Sequence, residues 1–434
     1  MRELYRSHVA ARQAAAERAL AETGFTTLVL HSGTQFHYFG DDMHAPHHSN
    51  PHFASWVPLA GDEHLLLIRP GERPKLVRVA PEDYWYEQAP LGEPFWLGEF
   101  DVEEVGTPAE AWDRVKTKGY VAYMGDAPSV ARRHGIEESG LNPEKLVAVL
   151  DWGRSFKTDY EVACMEQAEQ AAARGHRAAR EAFEAGASEL QIHHAYVAAV
   201  GCVDHQLPYE SIVALDEKGA ILHYLGKRDT GGGKVLLIDS GATHNGYASD
   251  ITRTWTTAAC DSRFRELVSG MDALQQGLCD EVQPGLPYPD LHRLAHVRIG
   301  DLLQRLGVLH VAGEDAAAKG LTRPFFPHGL GHFLGIQVHD VAGHQATPTG
   351  GRNEPPSEHP FLRTTRTIEE HQVFTIEPGV YFIPMLLREH RSGADAGLFD
   401  WDTIDALTPC GGVRIEDNVL VTADGHRNLT RPYI

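Results

Sequence analysis

The chain has 434 residues, 42% hydrophobic and 23% charged, a composition typical of a globular protein of two or three domains. Its net charge of −21 argues against binding to nucleic acid or to an anionic membrane surface, because both attract basic patches. Five scattered cysteines without CxxC spacing exclude a disulfide framework and indicate a reducing cytoplasm, and no apolar run reaches the ~20 residues of a membrane helix.

The first third of the chain alternates between helical and strand patterns. It opens with an Ala-rich amphipathic helix that is predicted to end near Gly24, and no glycine-rich phosphate loop follows any strand. The predicted helices are 2–22, 108–118 and 129–133, and the predicted strands are 26–30, 64–68, 75–79 and 120–123. This alternation predicts a compact α/β domain. The stretch 151–157 is interpreted as a junction, so the predicted domains are 1–157 and 158–434.

The C-terminal part begins with a long helical pattern over 158–185. Thr158 or Asp159 is the predicted N-cap, and Gly186 is predicted to end the helix. The Pro/Gly-rich stretch 342–358 is interpreted as a surface loop. Further helices are predicted over 188–200, 263–281 and 288–306, and strands are predicted from about 211 and again after 371.

The segment 234–255 contains an apolar strand that ends in Asp239, followed by a turn and a second acidic residue, Asp250. Asn245-Gly246 is the preferred centre of a two-residue type I′ hairpin. With the hairpin centred there and no bulge, the two aspartates become diagonal neighbours on one face, ~7–8 Å apart at Cα. That spacing suits two carboxylates that share a pair of divalent ions. The alternative is a solvent-facing hairpin with incidental acids.

Two further kinds of segment carry potential ligands. The apolar, glycine-rich segment 325–340 contains three histidines: His328, His332 and His339. Three glycines are unfavourable in a regular helix, so the backbone there is predicted to be shaped around a site. Glu377 and Glu416 each follow a short apolar strand, and Arg414 shares a strand face with Glu416. Taken singly, a glutamate that ends an apolar strand is most often an exposed edge residue.

Together these segments supply a candidate ligand set: Asp239, Asp250, His332, Glu377 and Glu416. Four carboxylates balance the charge of two divalent ions and leave one bridging hydroxide. Oxygen-rich ligation favours Mn²⁺, with Co²⁺ and Zn²⁺ as the alternatives. A water that bridges two metal ions becomes acidic enough to act as a nucleophile near neutral pH. The predicted cofactor is therefore a pair of divalent metal ions.

The motif order D…D…HGxGH…TIEPG…RIEDN resembles that of the pita-bread metallopeptidases, which include methionine aminopeptidase, aminopeptidase P and prolidase. Over nearly the whole chain the sequence resembles bacterial prolidases, the X-Pro dipeptidases. The motifs that carry this resemblance are long: LDWGRSFKTDYEVACM, PYESIVALDEKGAILHY, PHGLGHFLGIQVHDVAGH, FLRTTRTI, TIEPGVYFIPMLL and GGVRIEDNV, with FGDDM, NPHFASWVPL and EDYWYE nearer the N-terminus. The resemblance implies an α/β (α+β) fold with a creatinase/prolidase-type N-terminal domain, a pita-bread catalytic domain and a homodimer.

The resemblance also implies a role for each matching residue. The five candidate ligands match the dinuclear metal ligands, and the reaction is attack of the bridging hydroxide on the scissile carbonyl of an X-Pro dipeptide. The residues with implied catalytic roles are His223, His339, Glu377 and Arg414. The residues with implied substrate-binding roles are Arg363, which receives the C-terminal carboxylate, and Tyr209, His328 and Tyr381. Glu377 doubles as proton shuttle.

Several alternatives remain at this stage. Aminopeptidase P cuts X-Pro from longer peptides, and a non-catalytic binding module is a different class, which the intact ligand set disfavours. Bacterial prolidases that hydrolyse organophosphates carry the same motifs, so this side activity is also predicted. The loop 44–49, HAPHHS, departs from the usual prolidase pattern, and Asp41 or Asp42 nearby is a candidate contributor to a partner subunit's pocket. A separate metal site is the alternative to a polar loop at His44, His47, His48 and His52.

Overall fold

The computed structural model of the chain describes residues 1–87, 89–115 and 119–434. Contacts within the chain separate it into two units. The first unit consists of residues 1–154, 158–163 and 345–351. The second unit consists of residues 155–157, 164–344 and 352–434. Among the described residues, no helix combines the length and the apolar character needed to cross a membrane.

A mixed five-stranded sheet forms the centre of the first unit in the described part of the chain. Across the sheet the strands are Asp101–Val105, Lys75–Val79, Leu65–Ile68, Thr27–His31 and Val121–Met124. Four of them confirm the predicted strands to within a residue. The strand Asp101–Val105 was not predicted, because its sequence DVEEV is acidic; only Val105 is buried, as suits an edge strand that pairs on one side only.

Helices surround this sheet. They are Arg2–Thr23, Pro51–Ala54, Pro108–Asp113, Pro128–Arg133 and Glu144–Arg154. Three of them begin with proline. In the first turn of a helix the backbone N–H groups have no partner within the helix, so proline, which lacks an N–H, loses no hydrogen bond there. The helix predicted over 108–118 ends earlier, at Asp113, and residues 116–118 of that prediction lie outside the described residues. The helix Glu144–Arg154, which runs into the stretch 151–157, was not predicted.

The second unit is built from long helices and short strands. Its helices are Asp159–Glu184, Glu189–Val200, Ser262–Asp280, Tyr288–Arg305, Gly313–Ala318, Pro384–Ser392 and Trp401–Leu407. Its strands are Ile212–Leu215, Val235–Asp239, Thr243–His244, Tyr247–Ala248, Thr252–Thr256, Val373–Ile376, Gly379–Tyr381, Gly412–Arg414, Asp417–Thr422 and Gly425–Asn428. The four long helices predicted here are confirmed. The predicted loop 342–358 instead contains a short hairpin, Gln345–Thr347 with Gly350–Arg352.

The core of the second unit lies between two helices and the strands that carry the candidate ligands. Ser262–Asp280 and Tyr288–Arg305 bury one face each, and their leucines pack with Phe325, Phe374 and Ile376 in one apolar cluster. Phe374 and Ile376 belong to Val373–Ile376, the strand that ends immediately before Glu377. The apolar core therefore fixes the position of the strand that presents a potential ligand.

A buried ion-pair network holds the C-terminal strands. Asp417 is fully buried and accepts bonds from Arg253 at 2.7 Å, Arg431 at 2.5 Å and Asn428 at 2.9 Å. Burial alone would raise the pKa of Asp417, but the two arginines outweigh burial and hold that pKa below its usual range.

Removal of this carboxylate is expected to destabilise the fold strongly. Asp417→Ala leaves the buried Arg253 without its carboxylate partner and leaves the partly exposed Arg431 with Asp272 alone, which costs about 3–5 kcal/mol in the free energy of unfolding. Urea unfolding of the metal-free protein measures the loss. Asp424→Ala, at an exposed turn of the same hairpin, is the control and should change the stability by less than about 0.5 kcal/mol. Equal losses in the two variants would contradict the network's role.

Candidate metal centre and active site

The hairpin that carries the two aspartates has the predicted register. Asn245 and Gly246 have φ of 49° and 85°, which are the two positive values that a type I′ turn requires. His244 pairs with Tyr247. Farther along, Thr252 pairs with Asp239, so the register continues without a bulge. Asp239 therefore ends one strand and Asp250 lies just before the strand Thr252–Thr256 that pairs with it, in the register that the position of the turn predicted.

His332 is fixed against the strand that precedes Glu377. Its backbone N–H donates to Thr375 Oγ1 at 3.2 Å, and its carbonyl accepts from Thr375 N at 3.0 Å. Gly331 must be glycine, because a Cβ there would lie 2.0 Å from the Thr375 carbonyl oxygen. His332 Nδ1 lies 3.0 Å from the Phe333 carbonyl, which orients the ring. The other ring nitrogen, Nε2, therefore faces the carboxylates, at 3.4 Å from Asp250 Oδ2 and 3.8 Å from Glu377 Oε1.

The two glutamates are held by backbone bonds and are not exposed edge residues. Glu377 N donates to the Leu330 carbonyl at 2.8 Å, and Glu416 N donates to the Thr252 carbonyl at 3.0 Å. Glu416 Oε2 accepts from Thr252 Oγ1 at 2.7 Å, and the residue is 2% exposed. The Thr252 side chain was missed by the sequence analysis, although its place two residues after Asp250 put it on the same strand face.

The clustered carboxylates repel one another. The ligand atoms of Asp250, His332 and Glu416 lie within 4.8 Å of one another, in a buried place. Burial and then the charge of Asp239 raise the pKa of Asp250, while burial and neighbouring carboxylates raise the pKa of Glu377 and of Glu416. Asp239 Oδ1 is buried without a hydrogen-bond partner. This arrangement fits divalent cations. A bound cation would offset the repulsion between the carboxylates and would provide a partner for the unpaired oxygen of Asp239.

Arg414 anchors the other side of the cluster. Its guanidinium donates to Asp239 Oδ2 at 2.6 Å, to Thr252 Oγ1 at 3.0 Å and to the Tyr381 hydroxyl at 2.9 Å. The residue is 4% exposed, so its positive charge partly offsets the carboxylates at close range. Arg414 and Glu416 both contact Thr252, which agrees with the shared strand face predicted for them.

The direction of one hydrogen-bond chain follows from Arg414, because a guanidinium can only donate. The Tyr381 hydroxyl accepts from Arg414 and lies 2.9 Å from His328 Nε2, so it donates to that nitrogen. His328 Nδ1 then carries the proton and donates to the Gly329 carbonyl at 2.8 Å. Burial, followed by the charge of Arg414, lowers the pKa of His328 to about 3, which keeps the imidazole neutral.

The remaining predicted site residues surround the cluster within the second unit. The Tyr209 hydroxyl donates to Asp250 Oδ1 at 2.5 Å. The His339 ring packs edge-on against the His332 ring at 4.3 Å, and burial, with His332 next, lowers the pKa of His339 to about 3. The exposed His223 lies near enough to lower the pKa of His339 as well, although no hydrogen bond orients it.

Arg363 is exposed and lies in a loop that is held by backbone contacts. Its charge lowers the pKa of His332 and of His339, after the larger effect of burial, which places it close to the candidate metal centre. The neighbouring Thr365 N donates to the Gly343 carbonyl at 2.9 Å. A Cβ on Gly343 would lie 2.3 Å from the Arg363 carbonyl, so only glycine allows this close approach.

One supporting residue gave no signal in the sequence. Asn418 donates to the backbone carbonyl of Asp250 at 2.7 Å and also contacts the buried Glu169. It follows the candidate ligand Glu416 by two residues, but nothing in the motif RIEDN distinguishes a structural asparagine from a metal ligand. The histidines of 44–52 do not join any group of three or more ligand side chains in the described ranges, and His52 instead lies 2.9 Å from Asp151.

Comparisons with known proteins identify the family of this chain. A model of metallopeptidase family M24 matches residues 163–423, and a model of the N-terminal domain of Xaa-Pro dipeptidases matches residues 3–152. An Xaa-Pro dipeptidase of Pseudoalteromonas atlantica is 43% identical over 99% of this chain and 98% of its own length. One from Xanthomonas campestris is 43% identical over 99% of this chain and 97% of its own length.

Solved structures establish the fold. Proline aminopeptidase P II from Yersinia pestis has a TM-score of 0.75 at 23% identity and covers 100% of this chain and 97% of its own. Aminopeptidase P from E. coli with the inhibitor Pro-Leu has a TM-score of 0.74 at 22% identity, with coverage of 99% and 95%. The predicted α/β organisation, with a prolidase-type N-terminal domain and a pita-bread C-terminal domain, is confirmed. The fold and the M24 match together define a metallopeptidase.

The particular group within that class follows from the full-length relatives. The chain belongs to the bacterial Xaa-Pro dipeptidase family of M24 metallopeptidases. The resemblance stated from the sequence motifs is thereby confirmed.

Proposed function

We propose that the enzyme hydrolyses dipeptides whose C-terminal residue is proline, with two Mn²⁺ ions at the candidate metal centre. The observation that carries this proposal is the convergence of Asp250, His332 and Glu416, with ligand atoms within 4.8 Å, beside an exposed arginine. The relatives that match the full chain are named Xaa-Pro dipeptidases, which supports the substrate class. The identity of the metal rests on the oxygen-rich donor set.

The proposed ligands are Asp239, Asp250, His332, Glu377 and Glu416. Their four carboxylates balance two divalent cations, and burial makes an uncompensated set unfavourable. When bound, the two ions would supply an acidified water and polarise the scissile carbonyl. The hydrogen bond from Arg414 to Asp239 Oδ2 would fix the orientation of this proposed ligand.

Proton transfer is assigned to Glu377. Its carboxylate lies at the edge of the cluster, with Oε1 3.8 Å from His332 and Oε2 3.8 Å from His328. It would accept a proton from the attacking water and deliver it to the proline nitrogen as the peptide bond breaks. His339 and His223 are assigned to the substrate carbonyl, because a neutral imidazole N–H can donate to the developing oxyanion.

We assign to Arg363 the selection of dipeptides over longer peptides. A guanidinium can bind the free carboxylate of a C-terminal proline with two parallel hydrogen bonds, whereas a longer peptide presents a neutral amide at that place. Tyr209 is assigned to the pocket wall through its bond to Asp250, and the pair of His328 and Tyr381 is assigned to the opposite wall. These assignments distinguish a dipeptidase from an aminopeptidase P, which is the alternative function.

One experiment tests the activity and its metal dependence. We expect chelator-stripped protein to be inactive and added Mn²⁺ to restore hydrolysis of Gly-Pro, Ala-Pro and Leu-Pro but not of Gly-Pro-Ala. Product formation is followed by chromatography. Cleavage of the tripeptide would move the function to aminopeptidase P. Absence of both bound metal and hydrolysis would instead favour a non-catalytic binding module.

A second activity of the same site is proposed toward organophosphate triesters. Phosphotriester and peptide hydrolysis both need an activated water and stabilisation of charge on an oxygen atom. His223 and Arg363 are exposed at the cluster, so an uncharged triester can reach it without displacing buried groups. Mn²⁺-loaded enzyme that cuts Ala-Pro but releases no phenol from an aryl phosphotriester would disprove this side activity.

We also propose a homodimer in the cytoplasm. The first unit exposes an aromatic segment, with Phe36 68%, Phe39 106% and Met43 63% accessible, as expected for surface that a second copy covers. All five cysteines are free thiols, which fits a reducing compartment. Sedimentation equilibrium tests the association: a monomer at micromolar concentration would contradict it.

A further inference from the structure

A second group of potential metal ligands lies in the second unit, outside the candidate metal centre. His292 and His296 belong to the helix Tyr288–Arg305, and His359 belongs to the loop ahead of Arg363. One ring nitrogen from each lies within 4.8 Å of the others. The ring centroids are 4.3 to 4.8 Å apart, so the three imidazoles form one compact group.

Helix geometry explains two of the three positions. Residues four apart project from the same face of a helix, and here that face is buried, with His292 1% and His296 3% exposed. His359 is half-buried and borders a cavity of about 380 Å³, which gives an ion a path from solvent. Transition metals are commonly bound by two histidines spaced four residues apart on a helix, together with a third ligand from another segment.

Two buried nitrogens of this group have no hydrogen-bond partner among the described residues. His292 Nδ1 and His296 Nε2 are both buried and unpaired. His296 Nδ1 lies 2.9 Å from Thr322 Oγ1, a contact that fixes the ring and leaves Nε2 as the nitrogen available for another partner. Buried polar atoms are nearly always paired, so these two nitrogens require an explanation.

The charges around the group set which ion can bind. Burial, together with the neighbouring histidines, lowers the pKa of His296 to about 3 and that of His292 well below its usual range, so both rings are neutral at pH 7. Arg323 adds a positive charge near His359, and Glu358 adds a negative one. Neutral imidazoles without a carboxylate ligand suit Zn²⁺, and they disfavour Mn²⁺, which prefers oxygen.

We propose that His292, His296 and His359 form a separate site for one zinc ion, with solvent completing the coordination. The ion would join the helix Tyr288–Arg305 to the loop that leads to Arg363. Within this loop, the His359 carbonyl accepts a hydrogen bond from Leu362 N at 3.1 Å, which links His359 to the residue before Arg363. The site is structural in this proposal and would restrain the loop without touching substrate.

The test compares zinc content between the wild type and His359→Gln. Mn²⁺-loaded protein is incubated with a small excess of ZnCl₂ and desalted, and both metals are measured by mass spectrometry. We expect the wild type to retain about one more zinc ion per chain than the variant, with equal manganese in the two proteins. His359 is half-buried, so this substitution is the least disruptive of the three.

Two further variants make the result specific. His296→Gln should lose the same zinc ion, and His310→Gln, which alters a half-exposed histidine outside the group, should retain it. X-ray absorption at the zinc edge should show imidazole ligands at about 2.0–2.1 Å in the wild type. Equal zinc in the wild type and His359→Gln, or zinc gained only as manganese is lost, would overturn the proposal.

Discussion

Asp250→Asn is expected to lower kcat for Ala-Pro by about 10³-fold or more, since the loss of one charged ligand disrupts both proposed metal positions. Asp250 lies at the centre of the cluster, 3.4 Å from His332 Nε2 and bonded to the Tyr209 hydroxyl. An amide of the same shape keeps the side-chain volume but removes the negative charge. Steady-state kinetics with saturating Mn²⁺, together with the manganese content of the desalted variant, measure the effect.

The same substitution should have the opposite effect on the stability of the metal-free protein. Burial and neighbouring carboxylates make the charged form of Asp250 unfavourable, so removal of that charge relieves repulsion. We expect Tm of the metal-free variant to exceed that of the wild type, and added Mn²⁺ to raise Tm much less in the variant. Asp229→Asn, at an exposed position, is the matched control and should leave both values unchanged. A variant that loses activity but keeps the full Mn²⁺-dependent rise in Tm would contradict a role in metal binding.

The fold was predictable where one pattern dominated each segment. Helical patterns placed Glu189–Val200 and Tyr288–Arg305 to within a residue or two, and in the structure Ser188 caps the first helix while Pro289 lies in the first turn of the second. The strand Asp101–Val105 was missed, since an acidic edge strand has no apolar alternation. The helix Glu144–Arg154 was missed because its last turn, DWGR, contains a glycine and reads as a junction.

The candidate site was predictable in its residue types and in one part of its geometry. The turn at Asn245-Gly246 set the register that brings Asp239 and Asp250 together, and no tertiary information was needed. The approach of Glu416 depended on packing between strands about 160 residues apart, which local patterns do not encode. The motif resemblance supplied that step. The roles of Thr252 and Asn418 in holding the ligands became visible only with the structure.

Arg363 is expected to set the preference for a free C-terminal carboxylate. Arg363→Gln should lower kcat/KM for Ala-Pro by about 10²-fold, because charge-assisted hydrogen bonds contribute about 1.5–3 kcal/mol. Hydrolysis of Ala-Pro-amide, which lacks the carboxylate, should change little. The ratio of the two kcat/KM values therefore reports the charge recognition itself and is insensitive to a general loss of activity.

Two matched variants separate this recognition from nonspecific effects. Arg363→Lys keeps the charge but loses the planar fork, so its preference for the acid over the amide should be intermediate. Arg352→Gln removes an exposed arginine whose side chain pairs with Glu354, and it should leave the preference unchanged. If Arg363→Gln slowed the acid and the amide equally, the arginine would act through the loop near Gly343 and not through the substrate carboxylate. In that case the selection of dipeptides would need a different cation, and His339 is a poor candidate because burial favours its neutral form.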